Sequence, residues 1–184
     1  PTPDWTCGVE ATATSGEVVV EAKFNNDPIQ PRFVLPIVRY RFIPIDAYVV
    51  CNPKGTPVIS QDEIERKIYF ANRVYEQVGI EFYLAHDITV LDMPQYLNIP
   101  KNNAVTNSNG VVRRGDLPSG EVNELLALAP TNGCVRTFWI NKFTDKSIGG
   151  FTMRPSNTTF LIKDISSRAF AHELGHILGL HDIY

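Results

Sequence analysis

Two histidines near the end of the chain, His172 and His176, are four residues apart, and this spacing constrains how that segment can fold. On an α-helix, residues four apart lie on one face, about one turn from each other. Two imidazole rings so placed can bind the same zinc ion and supply two of its usual three or four protein ligands. Glu173 follows the first histidine, so its carboxylate lies beside the metal-binding face and not on it. The pattern therefore predicts a zinc-binding helix over about 166–178.

The residues that follow His176 include two candidates for a third metal ligand. Gly179 falls where a helix usually ends with a positive φ, and the turn that it allows directs the chain back toward the metal. His181 and Asp182 lie just beyond this glycine, and both an imidazole nitrogen and a carboxylate oxygen bind zinc at about 2 Å. Glu173 is then the candidate general base, which takes a proton from a zinc-activated water and passes it to a leaving amine.

The stretch "HELGHILGLHD" resembles the extended zinc signature of the metzincin metallopeptidases, H-E-x-x-H-x-x-G-x-x-H/D. The five fixed positions of that signature are occupied here by His172, Glu173, His176, Gly179 and Asp182. The resemblance implies that Asp182 is the third ligand, as in snapalysin-like metzincins, with His181 as the alternative. The stretch "AFAHELGHILGL" is also similar to secreted bacterial pappalysin-like and reprolysin-like peptidases, which implies a secreted or extracytoplasmic protein.

The order of elements before the zinc helix predicts an α/β fold with a mostly parallel sheet. Strands are expected over 32–50 and over 80–91, on either side of an amphipathic helix at 60–79. Ser60 and Glu63 have the spacing of a capping box at the start of this helix, which Gly79 ends. Strand, helix and strand in this order are typical of a βαβ unit. The apolar positions at helical spacing are Ile64, Ile68, Ala71, Val74, Tyr75 and Val78.

The second half of the chain is predicted to contain a long loop, a short helix and three strands. The loop covers 92–120, the helix 119–130, and the strands 134–143, 148–155 and 158–164. With the zinc helix, this order resembles a metzincin upper subdomain, a twisted sheet with a backing helix and an active-site helix. The resemblance implies that 148–155 is the edge strand. Its free backbone groups would pair with extended substrate, so the substrate-binding residues would be Gly149, Gly150, Phe151 and Thr152.

The N-terminal residues are predicted to be an extension or a pro-segment, and residues 34–184 the catalytic domain. Residues 1–33 are polar and rich in proline and glycine, with one β-like run, "EVVVEAKF". The stretch "TCGV" resembles the cysteine-switch segments of metzincin pro-domains, which implies a thiolate of Cys7 at the zinc position. One half of a disulfide is the alternative role for this residue. With Cys51 and Cys134, the chain has either one disulfide and a free thiol or three buried thiols.

Metzincins continue beyond the third ligand into a lower subdomain that contains a Met-turn. The two methionines here, Met93 and Met153, both precede the zinc motif and so cannot form that turn. We therefore expect the chain to correspond to the upper subdomain. The lower part, with its Met-turn, would be absent or contributed by another segment or a second chain.

Charge and hydropathy exclude other classes of partner. The net charge is −3 and no apolar run approaches the roughly 18 residues of a membrane span, so neither nucleic acid nor a bilayer is expected. The predicted function is a zinc-dependent endopeptidase, with Zn²⁺ as cofactor and a peptide or protein as substrate. Two alternatives remain open: a non-catalytic pseudo-peptidase and a zymogen inactivated by residues 1–33. A gluzincin, whose third ligand is a glutamate on a later helix, needs more than the eight residues that follow His176, so that class is expected only if the protein is longer.

Overall fold

The structure is a computed structural model in which the chain forms two compact units, Pro1–Tyr40 and Arg41–Tyr184. The predicted domain boundary after residue 33 falls within a strand, Asp27–Pro36, and the division lies later than that prediction. The described residues are 5–12, 17–24, 27–36, 41–99, 111–112, 121–130, 133–144, 148–153 and 156–181.

The first unit is a three-stranded antiparallel sheet. Its strands are β1 (Trp5–Thr12), β2 (Glu17–Phe24) and β3 (Asp27–Pro36), in the order β1-β2-β3. The valine-rich run that predicted a strand is β2, and its bounds are confirmed. Three prolines lie in β3, which pairs only with β2 among the described strands, and an edge strand tolerates the missing N–H groups. Cys7 lies in β1 opposite Ala22, and its side chain lies outside the described part of the structure.

The second unit is built on a seven-stranded sheet, which confirms the predicted α/β class. The strands are β4 (Arg41–Val50), β5 (Ile80–Leu84), β6 (Thr89–Leu91), β8 (Val111–Val112), β9 (Val135–Ile140), β11 (Gly150–Met153) and β12 (Thr158–Ile162). The strand order is β5-β4-β9-β12-β11-β8, and β6 also pairs with β4. All pairs are parallel except β11 with β12. A separate parallel pair is formed by β7 (Asn98–Ile99) and β10 (Lys142–Phe143).

The predicted βαβ unit is β4, α1 (Gln61–Tyr75) and β5. The capping box is present, because Glu63 N–H donates to Ser60 Oγ at 3.3 Å and Ser60 N–H donates to Glu63 Oε2 at 3.2 Å. A 3-10 turn, Glu76–Val78, follows α1 and ends at Gly79, whose φ of 67° is left-handed. The predicted start and end of this helical segment are therefore confirmed.

The predicted apolar face of α1 is correct at four positions and wrong at two. Ile64, Ile68, Ala71 and Tyr75 are buried, whereas Val74 is 44% exposed and Val78 is 60% exposed. Each residue turns the helix by about 100°, so Val74 lies about 90° from the centre of the buried stripe. Val78 lies in the 3-10 turn beyond the end of α1, where the 3.6-residue spacing no longer applies.

The main sheet is covered on both faces. Alternate residues of β4 point to opposite sides: Ile45, Ala47 and Val49 pack against α1 and α3 (Ser167–Ile177). Tyr48 and Val50 pack with the residues of α2 (Glu121–Leu128). Both helices of the second half were predicted within a few residues of these bounds. No helix in the described part of the chain combines the length and apolar character needed to span a bilayer.

Three segments differ from the sequence-based expectations. The single strand predicted over 134–143 is two strands, β9 and β10, which belong to different sheets. The run over 80–91 is two strands, β5 and β6, because residues 85–88 bend between them and each strand pairs with a different part of β4. The predicted loop over 92–120 contains a 3-10 turn, Pro94–Tyr96, and the short strands β7 and β8. Tyr96 and Ile99 are buried, so this part of the segment belongs to the core.

Replacing Ile64 by alanine should destabilise the protein far more than the same change at Val74. Ile64 is fully buried, and truncation of such a side chain costs about 2–5 kcal/mol. Val74 is largely exposed, so its truncation should change the free energy of unfolding by about 0.5 kcal/mol or less. Urea unfolding of the full chain, followed by far-UV circular dichroism, measures both. Equal losses would contradict the orientation of α1.

Candidate metal centre

Helix α3 brings together two histidine nitrogens and a carboxylate. Ser166 caps the helix, and its hydroxyl accepts from Ala169 N–H at 3.1 Å. The ligand atoms of His172, Glu173 and His176 lie within 4.8 Å of one another. In the described ranges these three residues form a group that can bind a metal ion, and they are the three that the H-E-x-x-H spacing predicted.

The two imidazole rings bring their Nε2 atoms within hydrogen-bonding distance of each other. His172 Nε2 and His176 Nε2 are 3.1 Å apart, and the ring planes are inclined by 79°. His172 is exposed, whereas His176 is only 3% exposed. One of the two histidines is thus buried in the protein and the other is exposed to solvent.

The second nitrogen of His176 determines which ring atom is available for a metal. His176 Nδ1 lies 3.0 Å from the carbonyl oxygen of Leu180. A carbonyl oxygen only accepts, so Nδ1 carries the proton and Nε2 presents its lone pair. A backbone carbonyl in this role orients many metal-binding histidines and increases the basicity of the ring.

The end of α3 supplies that carbonyl. Gly179 has a φ of 98°, its N–H donates to His176 O at 3.1 Å, and Leu180 N–H donates to Gly175 O at 2.9 Å. These two bonds form a Schellman motif, in which the residue in the left-handed conformation is usually glycine. The prediction that the helix ends at Gly179 with a positive φ is confirmed. The same turn places Leu180 against the ring of His176.

The third ligand is not part of the group in the described residues. His181 is exposed and lies outside the 4.8 Å cluster, and Asp182 lies outside the described residues. The assignment of Asp182 as the third ligand, with His181 as the alternative, therefore stays a prediction.

Glu173 is almost buried and is held by the sheet. Its side chain is 8% exposed, and its Oε2 lies 2.7 Å from Thr152 Oγ1 in β11. The hydroxyl of Thr152 also lies 3.0 Å from the backbone oxygen of Glu173. Sequence reasoning missed this contact. The available signal was the alternation of side chains along a strand, which places Thr152 on the same face as Gly150, toward α3.

Gly150 makes room for Glu173. A Cβ atom at Gly150 would lie 3.2 Å from Glu173 Cγ, 2.9 Å from Leu161 Cδ2 and 3.1 Å from the carbonyl oxygen of Phe160. A side chain there would require the Leu161 side chain to move and would crowd the Glu173 side chain and the Phe160 carbonyl. Glycine at this position therefore allows Glu173 to lie close to β11.

The expectation that 148–155 is a free edge strand is corrected. Strand β11 pairs with β12 on one side, and on the other side Thr152 and Met153 pair with Val111 and Val112 of β8. Strand β8 occupies the backbone position that substrate would need at Thr152, and the Thr152 side chain is buried. Binding of substrate by Gly149, Gly150 and Phe151 stays a prediction.

Helix α1 fixes α3 from the other side. The buried hydroxyl of Tyr75 donates to the carbonyl oxygen of Ala171 at 2.7 Å, next to the first histidine. A Cβ atom at Gly175 would lie 2.8 Å from that hydroxyl oxygen, so glycine there permits the contact. Burial raises the pKa of Tyr75, which keeps the hydroxyl protonated and able to donate.

The two cysteines whose side chains are described, Cys51 and Cys134, form no disulfide. Cys51 is buried and its Sγ–H donates to the carbonyl oxygen of Gly55 at 3.4 Å. Cys134 is half-buried, and burial together with the nearby carboxyl group of Asp46 raises the pKa of its thiol. A disulfide between Cys51 and Cys134 is excluded, and the predicted switch role of Cys7 concerns a side chain outside the described part.

No protein-family model matches the chain, and no significant match exists among curated proteins or solved structures. The functional reading therefore depends on the motif and on the geometry of these side chains.

Gly150→Ala should destabilise the protein by about 1–3 kcal/mol, because the added methyl group overpacks a closed space. Gly149→Ala is the matched control, since a Cβ atom there meets its nearest atom, Ile165 Cγ1, at an ordinary 3.6 Å. Thermal unfolding of the two variants measures the difference. A loss at Gly149 as large as the loss at Gly150 would contradict the close approach of β11 to Glu173.

Tyr75→Phe should lower the free energy of unfolding by about 0.5–1.5 kcal/mol at neutral pH, because one buried hydrogen bond is lost. The folded pKa of this hydroxyl is raised above its usual 10.0. The Tyr75 hydroxyl therefore contributes fully to the free energy of unfolding below pH 10.0, and this contribution is lost as the pH rises through the folded pKa. Unfolding measured from pH 7 to pH 11 should show the wild type and the variant converging. A constant difference would contradict the buried, protonated hydroxyl.

Proposed function

We propose that this chain is a zinc-dependent endopeptidase of metzincin type, in which His172, His176 and Asp182 bind zinc and Glu173 is the general base. The observation that carries the proposal is the pair of Nε2 atoms at 3.1 Å, with the Glu173 carboxylate beside them. Two nitrogens at about 2.0–2.1 Å from a tetrahedral ion lie about 3.3–3.4 Å apart. The distance between the two Nε2 atoms is thus close to the distance that a bound zinc ion requires.

The donor set favours zinc over other common ions. Two imidazole nitrogens and one carboxylate are typical zinc ligands, whereas calcium and magnesium prefer oxygen ligands alone. Three protein ligands are also the number found at catalytic zinc sites, which keep a position for water or substrate. When bound, zinc supplies Lewis-acid chemistry that lowers the pKa of water and polarises a carbonyl group.

The protein's own residues supply orientation and proton transfer. His176 is held inside the fold by the carbonyl of Leu180, and exposed His172 leaves the opposite side open to a peptide. Glu173 accepts a proton from the attacking water at a carboxylate oxygen and donates it to the leaving amine nitrogen. Its low exposure limits competition from bulk solvent during that transfer.

A metal-binding module without peptidase activity is the second candidate. The pairing of β8 with Thr152 and Met153 favours it, because this pairing occludes part of the strand that would bind substrate in an active enzyme. The two candidates agree on metal binding and differ on hydrolysis. A zymogen differs from both, since removal of residues 1–33 would then produce activity.

Glu173→Gln should retain zinc and lose hydrolysis by roughly 10²–10⁴-fold, the usual contribution of a general base. Zinc content by atomic emission and cleavage of fluorescein-labelled casein measure the two effects. Glu81→Gln, which changes an exposed glutamate on β5, is the control and should leave both unchanged. A wild type that binds zinc without cleaving casein, before and after removal of residues 1–33, would favour the binding module. Absence of zinc binding would overturn both candidates.

The same zinc measurement separates the two candidates for the third ligand. Asp182→Ala should lower zinc affinity strongly, and His181→Ala should leave it close to that of the wild type. The reverse result would assign the ligand to His181 and would contradict the resemblance to snapalysin-like metzincins. His176→Ala should abolish binding in either case.

A further inference from the structure

Thr152 contacts the candidate general base from the sheet and not from the helix that carries it. Its hydroxyl oxygen lies 2.7 Å from Glu173 Oε2 and 3.0 Å from the backbone oxygen of the same residue. A hydroxyl has one proton to donate. The bond to a carboxylate is charge-assisted and is the shorter of the two, so the proton lies toward Oε2.

The backbone of Thr152 is fixed on both sides. Its strand pairs with Thr159 of β12 and with Val111 of β8, and its side chain is fully buried. Gly150, two residues earlier on the same face, leaves the space that the Glu173 side chain needs. Strand β11 therefore provides both a gap for this carboxylate and a hydrogen bond to it.

The carboxylate has a second possible position, on the metal ion itself. Its ligand atom lies within 4.8 Å of both imidazole ligand atoms, and carboxylate oxygens bind zinc readily at about 2.0–2.2 Å. A glutamate that became a ligand would fill the coordination position that water and substrate require. A base so close to the metal therefore needs an interaction that keeps it off.

We propose that Thr152 is a positioning residue, whose hydroxyl holds the Glu173 carboxylate beside the metal site and prevents it from becoming a metal ligand. The inference rests on the proposed metal centre and assigns a role that the zinc motif does not contain.

The test replaces zinc by Co²⁺ in the full chain and compares visible absorption spectra, which report the number and type of ligands. Thr152→Val keeps a branched side chain and removes the hydroxyl, and Thr152→Ala removes it without adding bulk. Both should change the Co²⁺ spectrum and increase metal affinity, as Glu173 joins the ligand set. In the double variant Thr152→Val/Glu173→Gln, the spectrum should match that of Glu173→Gln alone.

Thr159→Val is the matched control. Thr159 is directly opposite Thr152, is equally buried, and donates to the carbonyl oxygen of Phe151 at 3.1 Å. Its replacement removes a buried hydroxyl from the same face of the sheet without touching Glu173. Its Co²⁺ spectrum should match that of the wild type, and Thr152→Ser should also restore the wild-type spectrum.

Hydrolysis provides a second readout. Thr152→Val should lower kcat by roughly 10–100-fold with KM nearly unchanged, the range seen for residues that orient a metal site, and Thr152→Ser should recover most of it. A folded Thr152→Val variant with the spectrum, metal affinity and kcat of the wild type would overturn only the positioning role of Thr152. A wild type that fails to bind Co²⁺ would overturn the proposed metal centre, and the role of Thr152 with it.

Discussion

The close approach of α3 to its two neighbours is the constraint on which the rest of the site depends. On one side Gly150 lets the Glu173 side chain lie against β11, and on the other Gly175 lets the Tyr75 hydroxyl reach the Ala171 carbonyl. Both contacts fall within one turn of the histidines. A methyl group at either glycine would crowd these contacts, at 3.2 Å from Glu173 Cγ in the first case and 2.8 Å from the Tyr75 hydroxyl oxygen in the second.

The C-terminal end of the same helix extends this control to the metal-binding face. A left-handed residue at Gly179 reverses the chain, and the carbonyl of Leu180 then accepts the proton of His176 Nδ1. The lone pair of His176 Nε2 is therefore directed by a turn three residues further along the chain. Glycine has no Cβ and adopts this conformation without strain. One backbone feature thus ends the helix and selects the tautomer of a candidate metal ligand.

The features that local sequence patterns predicted correctly are those that neighbouring residues determine. The N-caps of α1 and α3, their helical spacing and the glycines that end them were predictable, because these features depend on contacts within about five residues. The contact of Thr152 with Glu173 joins residues 21 positions apart, and the addition of β8 beside β11 involves a still longer separation. Such pairings depend on the order of the strands in the sheet, and local sequence periodicity does not predict that order. The 3-10 turn that contains Val78 is likewise a feature that an unbroken 3.6-residue pattern does not predict.

Strand β8 also limits how a peptide could reach the proposed active site. Because it pairs with β11 from Thr152 onward, an extended substrate can add to that strand only at residues before Thr152. His172 is exposed and His176 is buried, so a peptide would approach the candidate metal site from the side of His172. A substrate that satisfied both conditions would cross the site near Gly150. The occluded part of the strand therefore shortens the region available for backbone pairing. Affinity in such an enzyme would have to come from side-chain contacts more than from a long β-ladder.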